Sequence, residues 1–132
     1  MASKEFHAMQ EAMAARPVPP PPADIAEQRS RIDEAMAQMP LAEGTVSEPF
    51  VRSGVAGIEC RPVELADNAP ILLYFHGGGF RIASALAYRS YGSHLAAVLG
   101  ARVLLVEYRL APEHKFPKAV DCLLYTSDAA DE

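Results

Sequence analysis

The sequence has no apolar run approaching the roughly 20 residues needed to cross a bilayer, so no membrane-spanning helix is expected. It has no secretory leader pattern either: charged and polar residues interrupt Met1–Arg16, and no continuous apolar stretch follows Lys4. It lacks a basic surplus. Lys and Arg number 12 against 17 Asp and Glu, a formal charge of −5. Binding to a phosphate backbone draws on a cationic surface, so nucleic acid is not an expected partner. Cysteine is scarce, and Cys60 and Cys122 stand in neither a CxxC nor a Cys/His spacing. That pattern supports no metal site. It reads as two thiols kept reduced in the cytoplasm. What is present, 50% hydrophobic and 22% charged residues over 132 positions, suits one small globular domain and argues against disorder.

The chain opens with helical spacing. Phe6, Met9 and Met13 form one apolar edge. The run Arg16-Pro17-Val18-Pro19-Pro20-Pro21-Pro22 then stops any helix, because proline lacks the N–H and clashes with the preceding turn. It reads as a stiff connector, with a polyproline ligand as the alternative. Asp24 and Glu27 mark the start of a second helix. On it Ile25, Ile32, Met36 and Met39 share a face, and Glu27, Arg29, Arg31 and Glu34 supply polar positions. The methionine stripe is read as packing, or as an adaptable wall over an apolar ligand. Pro40 closes the helix.

Strand-like segments follow at Thr45–Val51 and Val55–Arg61, with Arg52-Ser53-Gly54 as the turn between them. Ile71–Phe75 and Val103–Val106 are continuous apolar runs of strand length, the pattern of strands buried on both faces. Between them Tyr91, Leu95, Val98 and Leu99 keep helical spacing, and Gly100 terminates it. Strand, helix, strand in this order predicts a βαβ unit with parallel strands. Phe116-Pro117 is expected to open another helix.

Gly77, Gly78 and Gly79 stand where the first buried strand ends, and ligands of open α/β sheets bind at the carboxyl ends of strands. Consecutive glycines allow positive φ and close backbone approach. Their N–H groups then have the freedom to converge on an anion, as acyl transfer requires when charge develops on the former carbonyl oxygen. A plain tight turn is the competing reading. A dinucleotide cradle fails, because Ile82 stands where the third glycine of GxGxxG belongs, and no Gly-Lys-Ser/Thr follows for a P-loop. His76 is read as a loop-supporting residue, with a general base as the alternative, since no nucleophile is evident within its reach. His7, His94 and His114 read as surface or cap residues.

Leu73-Tyr74-Phe75-His76-Gly77-Gly78-Gly79-Phe80 resembles the HGGG segment of the hormone-sensitive-lipase-like serine esterases. The stretch from Val103 to Pro117, with its Tyr108-Arg109-Leu110-Ala111-Pro112-Glu113-His114 core, is similar to the second hallmark of that family. The likeness runs from about Gly54 to Asp121. It implies an α/β class, a partial α/β-hydrolase fold with a mostly parallel sheet. It implies residues 1–41 as a helical cap segment and 42–121 as the N-terminal part of the hydrolase domain. It also implies hydrolysis of carboxylic esters of small molecules without metal or cofactor. Gly77, Gly78 and Gly79 are then the oxyanion donors and His76 their support, while Arg109 and Glu113 are expected to tie down the loop after the second buried strand.

No G-x-S-x-G elbow occurs in the 132 residues, although a serine esterase needs one, followed by an acid and a histidine. Ser84, Ser90 and Ser93 lie in or near a helix, and Ser127 has no strand before it. The chain therefore reads as truncated before its nucleophile, and Ile71–Phe75 is expected to lack one sheet neighbour, leaving an edge prone to association. Residues 122–132 resemble translated sequencing-adapter text and are expected to be non-native. Two alternatives stay open: a non-catalytic protein of the same fold that holds a small ligand, and an amidase or deacetylase. Substrate, acyl-chain preference and oligomeric state have no signature in the sequence.

Overall fold

A computed structural model describes residues 3–17, 19–52 and 54–130. Met1, Ala2, Val18 of the proline run, Ser53 of the predicted turn, and Asp131 and Glu132 lie outside the described residues. The elements in chain order are α1 (Lys4–Ala14), α2 (Ile25–Ala37), β1 (Thr45–Arg52), β2 (Val55–Pro62), β3 (Ile71–Phe75), α3 (Arg89–Leu99), β4 (Arg102–Val106) and α4 (Lys118–Ala130).

Helix α1 starts where the Ser3 hydroxyl accepts the Phe6 N–H at 3.2 Å. It buries none of its residues, so the predicted edge of Phe6, Met9 and Met13 exists but faces outward. Helix α2 is capped by Asp24, whose Oδ1 accepts from Glu27 N at 2.8 Å. Glu27 reaches back to the N–H of Ala23 at 2.6 Å, one residue beyond the usual reciprocal partner. Accepting that bond, with Arg31 beside it, holds the Glu27 carboxyl below its ordinary pKa. The far end of α2 is fastened to α3. Arg89 Nη2 donates to Ala37 O at 2.7 Å, Ser90 Oγ donates to Pro40 O at 2.6 Å, and the Ala42 N–H donates to Ser93 Oγ at 2.9 Å. Ser90 and Ser93 are thus spent on structure.

The four strands form one sheet in the order β1-β2-β4-β3. Strands β1 and β2 make a hairpin in which Arg52 pairs with Val55. Strand β2 also pairs antiparallel with β4, Cys60 opposite Val103. Strand β3 pairs parallel with β4, Leu73 opposite Leu104. The predicted βαβ unit is therefore present, but the expected mostly parallel sheet is mixed here. The hairpin contributes antiparallel pairings on one side of β4, and parallel pairing is confined to β3 and β4.

Helix α3 lies on one face of the sheet. Its Gly92 comes so near that an added Cβ would stand 2.9 Å from Leu105 Cδ1. The core beneath it is Cys60, Ala85, Ala96, Val103 and Leu105, with Ile58, Leu72, Tyr74, Tyr88 and Leu95 packed around it. Burial pushes the Cys60 thiol pKa up, and neither Cys60 nor Cys122 is in a disulfide. Strand β4 is buried along nearly its whole length, as its apolar run predicts. Strand β3 is not: Ile71 is 53% and Phe75 41% exposed. The physical reason is position, because β3 ends the sheet and its outer edge has no partner among the described residues. No helix among the described residues is long and apolar enough to cross a membrane.

Candidate active site at the glycine loop

The parallel strand β3 delivers His76 and Gly77–Gly79 to its carboxyl end. Gly78 has φ +129° and Gly79 φ +61°. A Cβ on Gly78 would lie 2.0 Å from the carbonyl oxygen of Ile82, inside any real contact distance. That contact arises because the chain turns back on itself: Arg81 N and Ile82 N both donate to Gly78 O, at 3.1 and 3.2 Å. The left-handed backbone continues into Phe80 at φ +59°, and recurs at Ala83, φ +69°. A non-glycine residue held there costs roughly 1–3 kcal/mol and persists only where its surroundings enforce it. The turn engages the Gly78 carbonyl but not the Gly78 or Gly79 N–H groups, for which no acceptor stands among the described residues.

The loop is held from beneath by rings. His76, 4% exposed, stacks on Tyr108 with centroids 4.3 Å apart. Its Nδ1 lies 2.9 Å from Gly77 O. The Tyr108 hydroxyl donates to the His76 carbonyl at 2.5 Å. Burial, with Glu107 nearby, pushes the Tyr108 pKa up and keeps the phenol protonated, as that donation requires. Tyr88 adds a third ring, its centroid 5.8 Å from that of His76 and its hydroxyl 3.2 Å from where a Cβ on Gly77 would be. His76 Nε2 is buried with no hydrogen-bond partner among the described residues.

A second loop, after β4, abuts the first. Ala111 N donates to Phe80 O at 2.7 Å, and Glu107 accepts the Ala85 N–H at 2.9 Å. Arg29 of α2 reaches both loops. Its Nε donates to Arg81 O at 2.7 Å, its Nη2 donates to Ala111 O at 2.7 Å, and Nη1 and Nη2 grip the Glu113 carboxylate at 3.0 and 2.9 Å. Those bonds hold the Glu113 carboxyl below its ordinary pKa. Of the two residues expected to tie down this loop, Glu113 is engaged. Arg109 is exposed and its side chain has no hydrogen bond or ion pair among the described residues. Tyr108 turns inward onto His76, and its neighbour Arg109 therefore faces out.

A cleft of about 560 Å³ lies between α2, the hairpin and this second loop, lined by Arg29, Asp33, Ser84, Glu107, Tyr108 and Arg109 among others. The three glycines are not part of its wall. No group of His, Cys, Asp or Glu among the described residues is arranged to hold a metal. Ser84 Oγ is occupied by the Ala87 N–H at 3.1 Å. The Ser127 side chain lies outside the described residues. His7, His94 and His114 are exposed.

Known proteins resemble the chain in sequence and in fold. A family profile described as alpha/beta hydrolase fold matches residues 72–130. The crystal structure of an esterase from the bacterial hormone-sensitive lipase family superposes with a TM-score of 0.75 at 30% identity, covering 97% of this chain and 43% of that one. The chain carries part of the α/β-hydrolase fold and is similar to the hormone-sensitive-lipase-like esterases. The chain is 45% identical over 76 residues to Probable carboxylesterase 8 of Arabidopsis thaliana, covering 53% of this chain and 23% of the relative. It is 36% identical over 63 residues to Gibberellin receptor GID1B of Arabidopsis thaliana, covering 46% of this chain and 18% of the relative. The chain thus spans less than half the length of these relatives.

Two residues at this hormone-sensitive-lipase-like loop escaped the reading of the sequence. Tyr108 lay in a recognised motif without a role of its own. Arg29 counts among the polar positions of α2, yet 25, 29, 32 and 36 follow helical spacing, so a lone arginine interrupts the apolar stripe. That interruption was the available signal.

Proposed function

We propose that the chain is the N-terminal part of a carboxylic ester hydrolase acting on small-molecule esters. Residues 1–41 form a segment of its cap, residues 42–121 the first part of the hydrolase domain, and 122–132 a non-native tail. Gly78 and Gly79, with Gly77, supply oxyanion donors, and His76 holds their loop. The observation that carries this is the pair of adjacent N–H groups with no acceptor among the described residues, at positive φ, at the carboxyl end of a parallel strand. In ester hydrolysis a nucleophilic oxygen attacks the carbonyl carbon and negative charge builds on the carbonyl oxygen. Donors already fixed toward that oxygen stabilise it without reorganising, and loss of one such donor costs a serine protease roughly 10²–10³ in kcat.

The nucleophile, the base that takes its proton and the acid that orients the base come from outside these residues, on a G-x-S-x-G elbow and the loops beyond it. The chemistry draws on no metal or cofactor, and the proposed setting is the cytoplasm. The receptor relative favours a second reading, a non-catalytic protein that uses the same pocket to hold a small ligand. An amidase or deacetylase would use the same donors. The coding sequence beyond codon 121 separates the first two readings. Serine in a G-x-S-x-G elbow supports the esterase, and another residue at that position supports the binding protein.

A further inference from the structure

Arg29 makes more contacts across the chain than any helix-surface position requires. Its guanidinium engages four acceptor oxygens on two loops, 52 to 84 residues away: Arg81 O, Ala111 O and both carboxylate oxygens of Glu113. The first of these belongs to the glycine turn. The Arg81–Ile82 peptide is gripped on both sides, its N–H on Gly78 O and its carbonyl on Arg29. Ala111 is likewise held from two directions, its N–H on Phe80 O and its carbonyl on Arg29. Arg29 occupies the apolar face of α2, with its side chain 22% exposed. A planar fork with fixed donor directions suits several acceptors at once, and a single ammonium does not.

We infer that Arg29 is a positioning residue through which helix α2 sets the geometry of the Gly77–Ile82 turn. Moving α2 pulls on Arg81 O and Ala111 O together, and both transmit to the peptide units that orient the Gly78 and Gly79 N–H groups. The consequence for ester turnover rests on the function proposed above; the mechanical coupling does not.

Three amides report on the coupling directly: Arg81, Ile82 and Ala111, each hydrogen-bonded within the joined loops. Hydrogen exchange at single-residue resolution, on the full chain at low micromolar concentration, compares Arg29→Ala, Arg29→Lys and Glu113→Gln with the parent. Both Arg29 variants are expected to speed exchange of these amides at least tenfold, while β4 amides at Val103 and Leu105 stay within twofold. Glu113→Gln is expected to change the three amides less than threefold, because the two carbonyl contacts persist. If the alanine variant unfolds, seen as loss of β4 protection, the lysine variant carries the test. It keeps the charge and stem and loses the fork. Faster exchange in α2 with amides 81, 82 and 111 unchanged would overturn the inference and reduce Arg29 to a helix anchor. In a catalytically complete form, Arg29→Lys is expected to lower kcat with KM unchanged. An inert complete form would remove the esterase reading and leave the exchange result standing.

Discussion

Replacing each glycine of the turn by alanine, one at a time, separates three physical costs. Gly78 combines φ +129° with a 2.0 Å approach of the would-be Cβ to the Ile82 carbonyl oxygen. A side chain there is strained by its backbone conformation, roughly 1–3 kcal/mol. To escape the collision it must also displace Ile82, weakening the two bonds into Gly78 O, each contributing about 1 kcal/mol. Gly78→Ala should therefore cost about 3 kcal/mol. Gly79 sits at φ +61° with nothing within 4 Å of its would-be Cβ. Its substitution carries only the left-handed penalty, about 1–2 kcal/mol. Gly77 has an ordinary φ and meets only the Tyr88 hydroxyl at 3.2 Å, the tip of a side chain. With roughly 3–5 °C lost per kcal/mol in a chain of this size, Gly78→Ala should lower Tm by about 10 °C and Gly79→Ala by about 5 °C. Gly77→Ala should fall below both. Thermal unfolding followed by far-ultraviolet circular dichroism at low micromolar concentration reads the series. A Gly78→Ala chain melting with or above Gly79→Ala would refute the reasoning, because it would mean the turn through Ile82 is not closed in solution.

Tyr108→Phe removes the donor to the His76 carbonyl and leaves that acceptor unpaired in a buried place, an expected loss of about 1–3 kcal/mol; denaturation at the parent's midpoint would count against the contact. Glu113 has its folded pKa depressed by Arg29, so its contribution is present above the ordinary carboxylate value of 4.5 and lost as the pH falls through the folded value. The Tm of Glu113→Gln is thus expected to lie below the parent at neutral pH and to converge with it in acid, and parallel curves would exclude the ion pair as the cause. Ile71→Lys, at an exposed site on the open edge of β3, is expected to suppress concentration-dependent association in sedimentation velocity with little change in Tm; undiminished association would place the sticky surface elsewhere.

Much of the fold was legible because local rules and tertiary packing agree in it. The Asp24 cap, the Gly100 stop at φ +57° and the Ile71–Phe75 strand are where sequence spacing places them. The glycines and His76 were singled out because only backbone freedom explains three glycines at a strand end. What the sequence concealed depends on chain crossings. A continuous apolar run says that a strand is fit to be buried on both faces, but whether it is depends on its place in the sheet order. Among the described residues β4 has neighbours on both sides and β3 on one. The antiparallel seam between β2 and β4 joins residues more than 40 positions apart, and no periodicity records it. Arg29 is the same kind of case. Its partners lie on two distant loops, and only its intrusion into the stripe of Ile25, Ile32 and Met36 marks it. Arg109 shows the converse, a residue inside a recognisable motif whose side chain turns to solvent while its neighbour Tyr108 supports the loop.

Labelling with a fluorophosphonate, which modifies an activated serine beside an oxyanion hole, tests the central claim most directly. The 132-residue chain should take up no label, because none of its serines stands in a G-x-S-x-G elbow. A chain extended through a G-x-S-x-G elbow should be labelled once, on that serine, with labelling lost in Gly78→Ala. Stoichiometric labelling of the 132-residue chain, or labelling of the extended chain indifferent to Gly78, would contradict the assignment of the glycine loop as one half of an esterase active site.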